Sequence, residues 1–259
     1  MDKAFIKGLT IMEILANSST PRGSTEIARE LGLTRSNVHR LIQTLVQQGF
    51  AVSEPATGRY KATLKFWELG GRVWSFHPLR RAVTPVIERL ASETGETVHV
   101  LFRVGDDMLF VEQIGGRDPM RSHWPLGTRM SLFRIFDNGT GLLAYQKAFL
   151  ATQPLQRQRE IVDGFAAELG NPPKCKKQLL DEAIETQKRG AAINRGDWNA
   201  GLSGAAAIFT DAQGNEGIIG CAGSSQRLSP SRLEEVAHSV ALAAKVVTRE
   251  LTAGAEIGA

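Results

Sequence analysis

Ser24 to Gly49, STEIARELGLTRSNVHRLIQTLVQQG, is the stretch that decides the fold. Ile27, Ala28 and Leu31 recur at helical spacing and form one apolar face of a short helix. Ser24 stands where its hydroxyl caps the first turn, and Gly32 stands where a left-handed residue closes a helix. Thr34 caps a second helix with Val38, Leu41, Ile42 and Leu45 as its buried stripe and Val46 at the margin. Gly49 ends it. The opposite face carries Arg35, Ser36, Asn37, His39, Arg40, Gln43, Thr44 and Gln47. Two such helices joined by a tight turn predict a helix-turn-helix. Its second helix offers its first residues to base edges, while the first helix crosses the DNA backbone. Arg and Asn make bidentate contacts to guanine and adenine, and Ser and Thr hydroxyls suit phosphate oxygens. The expected DNA-contacting set here is Ser24, Thr25, Thr34, Arg35, Ser36, Asn37, His39, Arg40 and Thr44. A packed helix pair with a merely solvated polar face would show the same stripe, so further features have to decide.

Three of them favour DNA. Upstream, Phe5, Leu9, Met12 and Leu15/Ala16 repeat with helical period and predict a third helix that completes a small core. Downstream, FAVSEPATGRYKA reads as strand, turn, strand, with Pro55 and Gly58 as turn residues. Arg59 and Lys61, just past the turn, are set to touch the sugar–phosphate backbone. Three helices and a hairpin make a winged helix-turn-helix. Charge is the third feature. Residues 1–65 hold nine basic and five acidic side chains, a net of +4, which is the net charge of the whole chain. The remaining residues are neutral. Phosphate contacts dominate nucleic-acid affinity, so this asymmetry fits a DNA reader joined to a neutral partner domain.

The 259 residues predict one or two domains. An apolar share of 42% supplies a proper core, and mean hydropathy is −0.16. No run approaches the ~18 apolar residues of a membrane span, and MDKAFIKGLT has no long apolar segment of a signal peptide. A cytoplasmic protein is expected. Cys175 and Cys221 suit a reducing compartment and make no disulfide framework. A metal site would need more ligands at closer spacing, so neither metal nor cofactor is expected.

Thr63 to Ser75, TLKFWELGGRVWS, reads as a short linker helix with Phe66, Leu69, Val73 and Trp74 on roughly one side. Gly70 and Gly71 weaken it. Either another chain covers it or its own chain does. A longer helix follows from Leu79 to Thr94. ETVHVLFRV and DMLFVEQI form a hairpin about Gly105-Asp106-Asp107, and MRSHWPL reads as a third strand. A helix starts near Asp137 or Asn138, and residues 154–169 and 178–189 are helical. LSGAAAIFT and EGIIGCAG form another hairpin. Ser229 caps a last helix that Pro230 begins. Antiparallel strands flanked by helices give an α+β domain. The expected division is a winged helix over residues 1–63, a linker helix over 64–78, a sensor domain over 79–252 and a tail over 253–259.

Taken together these segments resemble the IclR family of bacterial transcriptional regulators. The resemblance rests on LTIMEILA, TEIARELGLTRSNVHRLIQTLVQQGF and TGRYKA at the N-terminus. It continues through ETVHVLFRVGDDMLFVE, WPLGTRMSL, NGTGLLAY and GLSGAAAIFTDAQGNEGIIGCAGSSQRLS. It implies a GAF-like C-terminal domain that binds a small effector and alters operator binding, in a dimer or a dimer of dimers. It also implies an effector pocket made of Met120, His123, Asp137, Asn138, Asn194, Gly204, Cys221 and Gly223. A helix N-terminus there suits a carboxylate, and the small residues leave room for a ligand.

The sequence departs from that family where ligand chemistry is set. RIFDNGTG replaces the small residues and Gly-Lys pair common among members, so Asp137 brings a negative charge. Either Arg134 or His123 offsets it, or the effector is not a simple anion. NRGDWNAGLSG lacks the usual paired acids and carries Trp198, which points to a bulkier, aromatic ligand. Simpler readings stand beside these. Asp137 also suits a helix cap, Cys221 a small core residue, His123 a structural histidine, and Trp124 and Trp198 packing. No GxSxG, P-loop, HExxH, CxxC or GxGxxG motif occurs, and the five histidines are scattered, so an enzyme is not expected.

Overall fold

A computed structural model describes residues 2–118, 121–135, 141–169 and 173–256. The chain divides into two compact units, Met1–His77 and Pro78–Ala259.

In the first unit, α1 (Lys3–Ala16) starts at Asp2, whose carboxylate accepts from the Ala4 and Phe5 N–H groups at 2.8 and 3.2 Å. α2 (Ser24–Glu30) and α3 (Arg35–Gln47) follow, then the hairpin of β1 (Ala51–Ser53) and β2 (Tyr60–Ala62), then α4 (Lys65–Phe76). The core is Ile11, Leu15, Ile27, Ala28, Val38, Ile42, Leu45, Ala51 and Tyr60. Thr34 caps α3 as expected, accepting from the Asn37 N–H at 3.3 Å. Gly32 has a φ of 62°, a left-handed conformation that favours glycine.

Two local expectations need correction. Gly23, not Ser24, caps α2; the Glu26 carboxylate accepts the Gly23 N–H at 3.2 Å, so the serine hydroxyl is not needed. α1 turns Ile11 and Leu15 inward and leaves Phe5 and Leu9 exposed. Leu15 and Met12 of the expected stripe do meet the core, while Ile11 takes the place of Phe5 and Leu9 because that side of the helix faces α3. The linker helix forms, but no residue of α4 is buried: Phe66 reaches the Phe50 ring at 5.3 Å, while Trp67, Val73 and Phe76 stand exposed.

The second unit opens with α5 (Pro78–Thr94). The hairpin of β3 (Thr97–Val104) and β4 (Asp107–Ile114) follows, then β5 (Arg129–Ser131). Next come α6 (Ala144–Thr152), α7 (Leu155–Glu168) and α8 (Pro173–Arg189). β6 (Ala192–Arg195), β7 (Leu202–Thr210), β8 (Glu216–Ser224) and α9 (Pro230–Glu256) complete it. The strands form one antiparallel sheet in the order β5-β4-β3-β8-β7-β6. Successive residues of a strand face opposite sides. On β8 the ring of Tyr145 from α6 lies over Gly220, while Cys221 Sγ reaches Thr94 of α5 at 3.7 Å. So α6 covers one face, backed by α7 and α8, and α5 and α9 cover the other.

The described residues 121–126 of MRSHWPL, expected as a third strand, form none; the edge strand lies at Arg129–Ser131. α6 begins at Ala144, beyond the start expected near Asp137 or Asn138. The four-residue edge strand β6 had no expectation, because AINR is too short to show alternation.

Candidate functional site

α3 and the hairpin build a cationic, polar face. Thr25, Thr34, Arg35, Ser36, His39, Arg40, Thr44 and Lys61 are exposed, while Ser24, Asn37 and Arg59 are half-buried. The Thr44 hydroxyl donates back to the Arg40 carbonyl at 3.2 Å. Sequence reasoning missed the residue that orders this face. Tyr60 is buried beneath it, and its hydroxyl accepts from Gln43 Nε2 at 3.1 Å and lies 3.3 Å from His39 Nδ1. The hairpin thereby holds two side chains of α3. Its backbone also bridges Arg22 in both directions, at 2.7 and 2.8 Å.

Arg59 is engaged within the unit. Its Nη2 donates to both Glu26 carboxylate oxygens at 2.7 and 2.8 Å, and its Nε donates to the Pro21 carbonyl at 2.8 Å. Arg22 joins through Glu30 at 2.6 Å and Glu26 at 3.4 Å. The Arg59 hydrogen bonds, followed by the Gly23 N–H, hold the Glu26 carboxyl below its usual range. This four-charge network is neutral, so the net positive charge is carried by other side chains, Arg35, Arg40 and Lys61 among them.

In the second unit, a recess of about 300 Å³ opens beside the N-terminus of α6. Most of that space is its mouth, and the inner part holds little more than one water molecule. Ala222, Gly204 and Asn194 are neighbours across β8, β7 and β6 and form the floor. A Cβ on Gly204 would lie 2.6 Å from the Cys221 carbonyl oxygen, so glycine there keeps the strands and floor close. Tyr145 forms one wall, and Ser122 and Trp124 another. No described lining residue carries a charge.

The expected pocket residues separate by strand alternation. Asn194, Gly204 and Cys221 line the recess. Asn194 is committed to structure: its Nδ2 donates to the Leu142 carbonyl at 3.1 Å, and its Oδ1 accepts from Gly196 and Asp197. Cys221 contributes backbone, because its thiol points to the α5 face, where burial pushes it up to about 12. Gly223 shares that opposite face; a Cβ there would strike the Glu96 carboxylate. Trp198 stands behind the wall, 5.8 Å from Trp124. His123 is exposed, with Nδ1 2.8 Å from Gln113 Nε2. Arg134 turns outward to Glu168 at 3.1 Å. Met120, Asp137 and Asn138 lie outside the described residues.

Two buried charges brace the surroundings. Lys147 Nζ lies 2.7 Å from both Glu182 and Asp197, tying α6 to α8 and to the loop after β6. Glu96 holds Arg227 through two hydrogen bonds of 2.7 Å. Tyr145, Ser203, His99 and Lys147 escaped sequence reasoning, since only strand register brings them together. The run of small residues GAAA and GCAG was the available signal.

No described helix is long and apolar enough to cross a membrane. The chain matches the family model for the bacterial transcriptional regulator IclR C-terminal domain over residues 72–249, and that for the IclR helix-turn-helix domain over residues 5–55. It is 28% identical over 253 residues to the HTH-type transcriptional regulator BhcR of Paracoccus denitrificans, covering 97% of this chain and 87% of that one. It is 27% identical over 251 residues to the transcriptional repressor IclR of Escherichia coli, covering 95% and 89%. The crystal structure of an IclR homologue from Microbacterium hydrocarbonoxydans complexed with 4-hydroxybenzoate matches with a TM-score of 0.72. Sequence identity to it is 15%, and the match covers 96% of this chain and 99% of that one.

Proposed function

This chain belongs to the IclR family of DNA-binding transcriptional regulators with an effector-binding C-terminal domain, and on that premise we propose how it reads DNA and senses its effector. Arg35, Ser36, Asn37 and Arg40 contact base edges from the start of α3. Thr25, Thr34 and Lys61 contact phosphates. The observation that carries this reading is the exposed cationic start of α3, in the quarter of the chain that holds its whole net charge. Arg59 acts chiefly as an anchor of the hairpin, given its bond to Glu26.

The protein works as a dimer in the cytoplasm. α4 exposes Trp67, Val73 and Phe76 at 70%, 68% and 84%, an apolar surface that a second chain would cover. A small, ring-shaped effector docks at the mouth of the recess beside Tyr145, for which the uncharged lining and the aromatic side chains of Trp124 and Tyr145 speak. A relative of the same fold is known in complex with 4-hydroxybenzoate, which supports an aromatic ligand. Effector binding shifts operator affinity by its difference in affinity for the two states of the dimer.

The test combines fluorescence anisotropy on DNA upstream of the protein's own gene with a thermal-shift screen of aromatic acids and phenols. The reading expects a compound that raises the unfolding temperature also to change operator affinity. A compound that stabilises the protein and leaves operator affinity unchanged counts against it.

A further inference from the structure

Resting on α3 as the DNA-reading helix, we propose that Tyr60 of the hairpin sets His39 and Gln43 of α3 as a pair that reads base edges. His39 is exposed and Gln43 half-buried, one helical turn apart. Gln43 follows Arg40 by three residues and so shares the face that carries it. The common partner of the pair is anchored outside α3. Tyr60 is buried, and its backbone N–H and carbonyl both bond to Arg22, at 2.8 and 2.7 Å. The preceding residue, Arg59, is held by Glu26 and by the Pro21 carbonyl. From that anchor the Tyr60 hydroxyl meets Gln43 Nε2 at 3.1 Å and His39 Nδ1 at 3.3 Å. Side chains ordered before DNA arrives lose less freedom on binding.

Proton counting sets what the pair offers. A phenol has one proton. Gln43 donates to the hydroxyl oxygen, and among the described residues His39 Nδ1 is the hydroxyl's other partner. Sending the phenol proton to Nδ1 satisfies every group. The opposite sense leaves a buried O–H without an acceptor, which costs free energy. A neutral imidazole that accepts at Nδ1 carries its own proton on Nε2, across the ring from Tyr60. His39 therefore offers a donor, which matches the acceptor edge of guanine in the major groove. Gln43 spends one amide N–H on Tyr60 and keeps the other together with its carbonyl oxygen. A donor and an acceptor on one amide match the edge of adenine. A phosphate oxygen only accepts, so it leaves that carbonyl unanswered.

The experiment selects duplexes from a random-sequence pool with the full-length protein at one fixed salt concentration. Fluorescence anisotropy then gives affinities for the best duplex and its single-base variants. In Gln43→Ala, discrimination is expected to fall about tenfold at an adenine, and in His39→Ala about fivefold at a guanine, as loss of a paired and of a single contact gives. Tyr60→Phe keeps the buried ring, removes the hydroxyl and weakens discrimination at the same two positions. NMR of the imidazole nitrogens in mildly alkaline buffer, with the His39 signals identified by their loss in His39→Ala, finds the proton on Nε2 and finds that preference reduced in Tyr60→Phe. A purely structural tyrosine would lower the melting temperature and the affinity for every sequence alike, and would leave the tautomer unchanged. If Tyr60→Phe lacks a cooperative thermal transition, the two α3 variants and the wild-type tautomer decide. Equal loss on all sequences in His39→Ala and Gln43→Ala overturns the proposal, as does full discrimination in a folded Tyr60→Phe or a wild-type proton on Nδ1. If Arg35→Ala and Arg40→Ala flatten the preference and these three variants do not, α3 stands as the reading helix and only the pair falls. If the wild type selects no sequence, the reading of α3 falls with it.

Discussion

The two units use their cations in opposite ways. In the first, Arg35 and Arg40 stand exposed at the start of α3, and the ion pairs are made by Arg22, Arg59 and Arg72 instead. In the second, the cations around the recess are spent on carboxylates: Lys147 on Glu182 and Asp197, Arg227 on Glu96 and Asp118, Arg134 on Glu168. One unit keeps charge available for a polyanion. The other neutralises charge internally and presents an uncharged, aromatic-walled recess. The lesson is that the composition of a region tells where charge is, and only pairing tells whether it is available.

The largest break in that contrast comes from Lys147→Met. It leaves Glu182 and Asp197 without their cation beside a packed helix. Removing one partner of a buried ion pair costs about 3 kcal/mol, so chemical denaturation should show a loss of that order in the second unit. An unchanged midpoint would mean the pair contributes nothing net.

Arg35→Ala and Arg40→Ala test the other side. Each should weaken operator binding by roughly 10- to 100-fold, as loss of a bidentate base contact does. Surface substitutions scarcely change stability, so the melting transition should hold. A fall in both together would show these arginines to be folding residues.

His99 sharpens the contrast through pH. Burial pushes its pKa down to about 3 from the usual 6.5, so the unfolded chain binds a proton that the folded one refuses. Its contribution to stability is whole above about pH 6.5 and shrinks as pH falls towards 3. The slope from this group is about 1.4 kcal/mol per pH unit. His99→Phe should flatten that part of the stability–pH curve, and an equal slope in both proteins would refute the assignment.

The smallest effect separates two neighbours. Arg59→Ala should lower the melting temperature by a few degrees through loss of its hold on Glu26 and Pro21. Lys61→Ala should leave the melt alone and reduce the salt slope of DNA binding by about one. The reverse pattern would make Arg59 the phosphate contact.

Much of the first unit was legible because its signals are local. A 3.6-residue stripe, the Thr34 cap and Gly32 lie within a few residues of what they specify. The misses there are of two kinds. Phe5 and Leu9 continue the spacing of Met12 and Leu15, and only contact with α3 chose Ile11 over them. The hold of Glu26 on Arg59, from 33 residues away, was likewise beyond any local signal. In the second unit both hairpins were legible from alternation, yet of the recess only Asn194, Gly204 and Cys221 were named beforehand, and those through the family resemblance. Gly204 and Ala222 meet only through the register of β7 against β8, and that same register turns Cys221 and Gly223 towards α5 and α9.

What the amino-acid sequence determined by itself was the DNA-reading architecture, the two hairpins of the second unit and the confinement of net charge to residues 1–65. Each depends on spacing along the chain or on counting. What the tertiary structure alone decided was which charges remain unpaired, which face each strand residue takes, and that His99 and Tyr145, 46 residues apart, share a hydrogen bond. Those depend on register and packing between distant segments, which no local periodicity encodes.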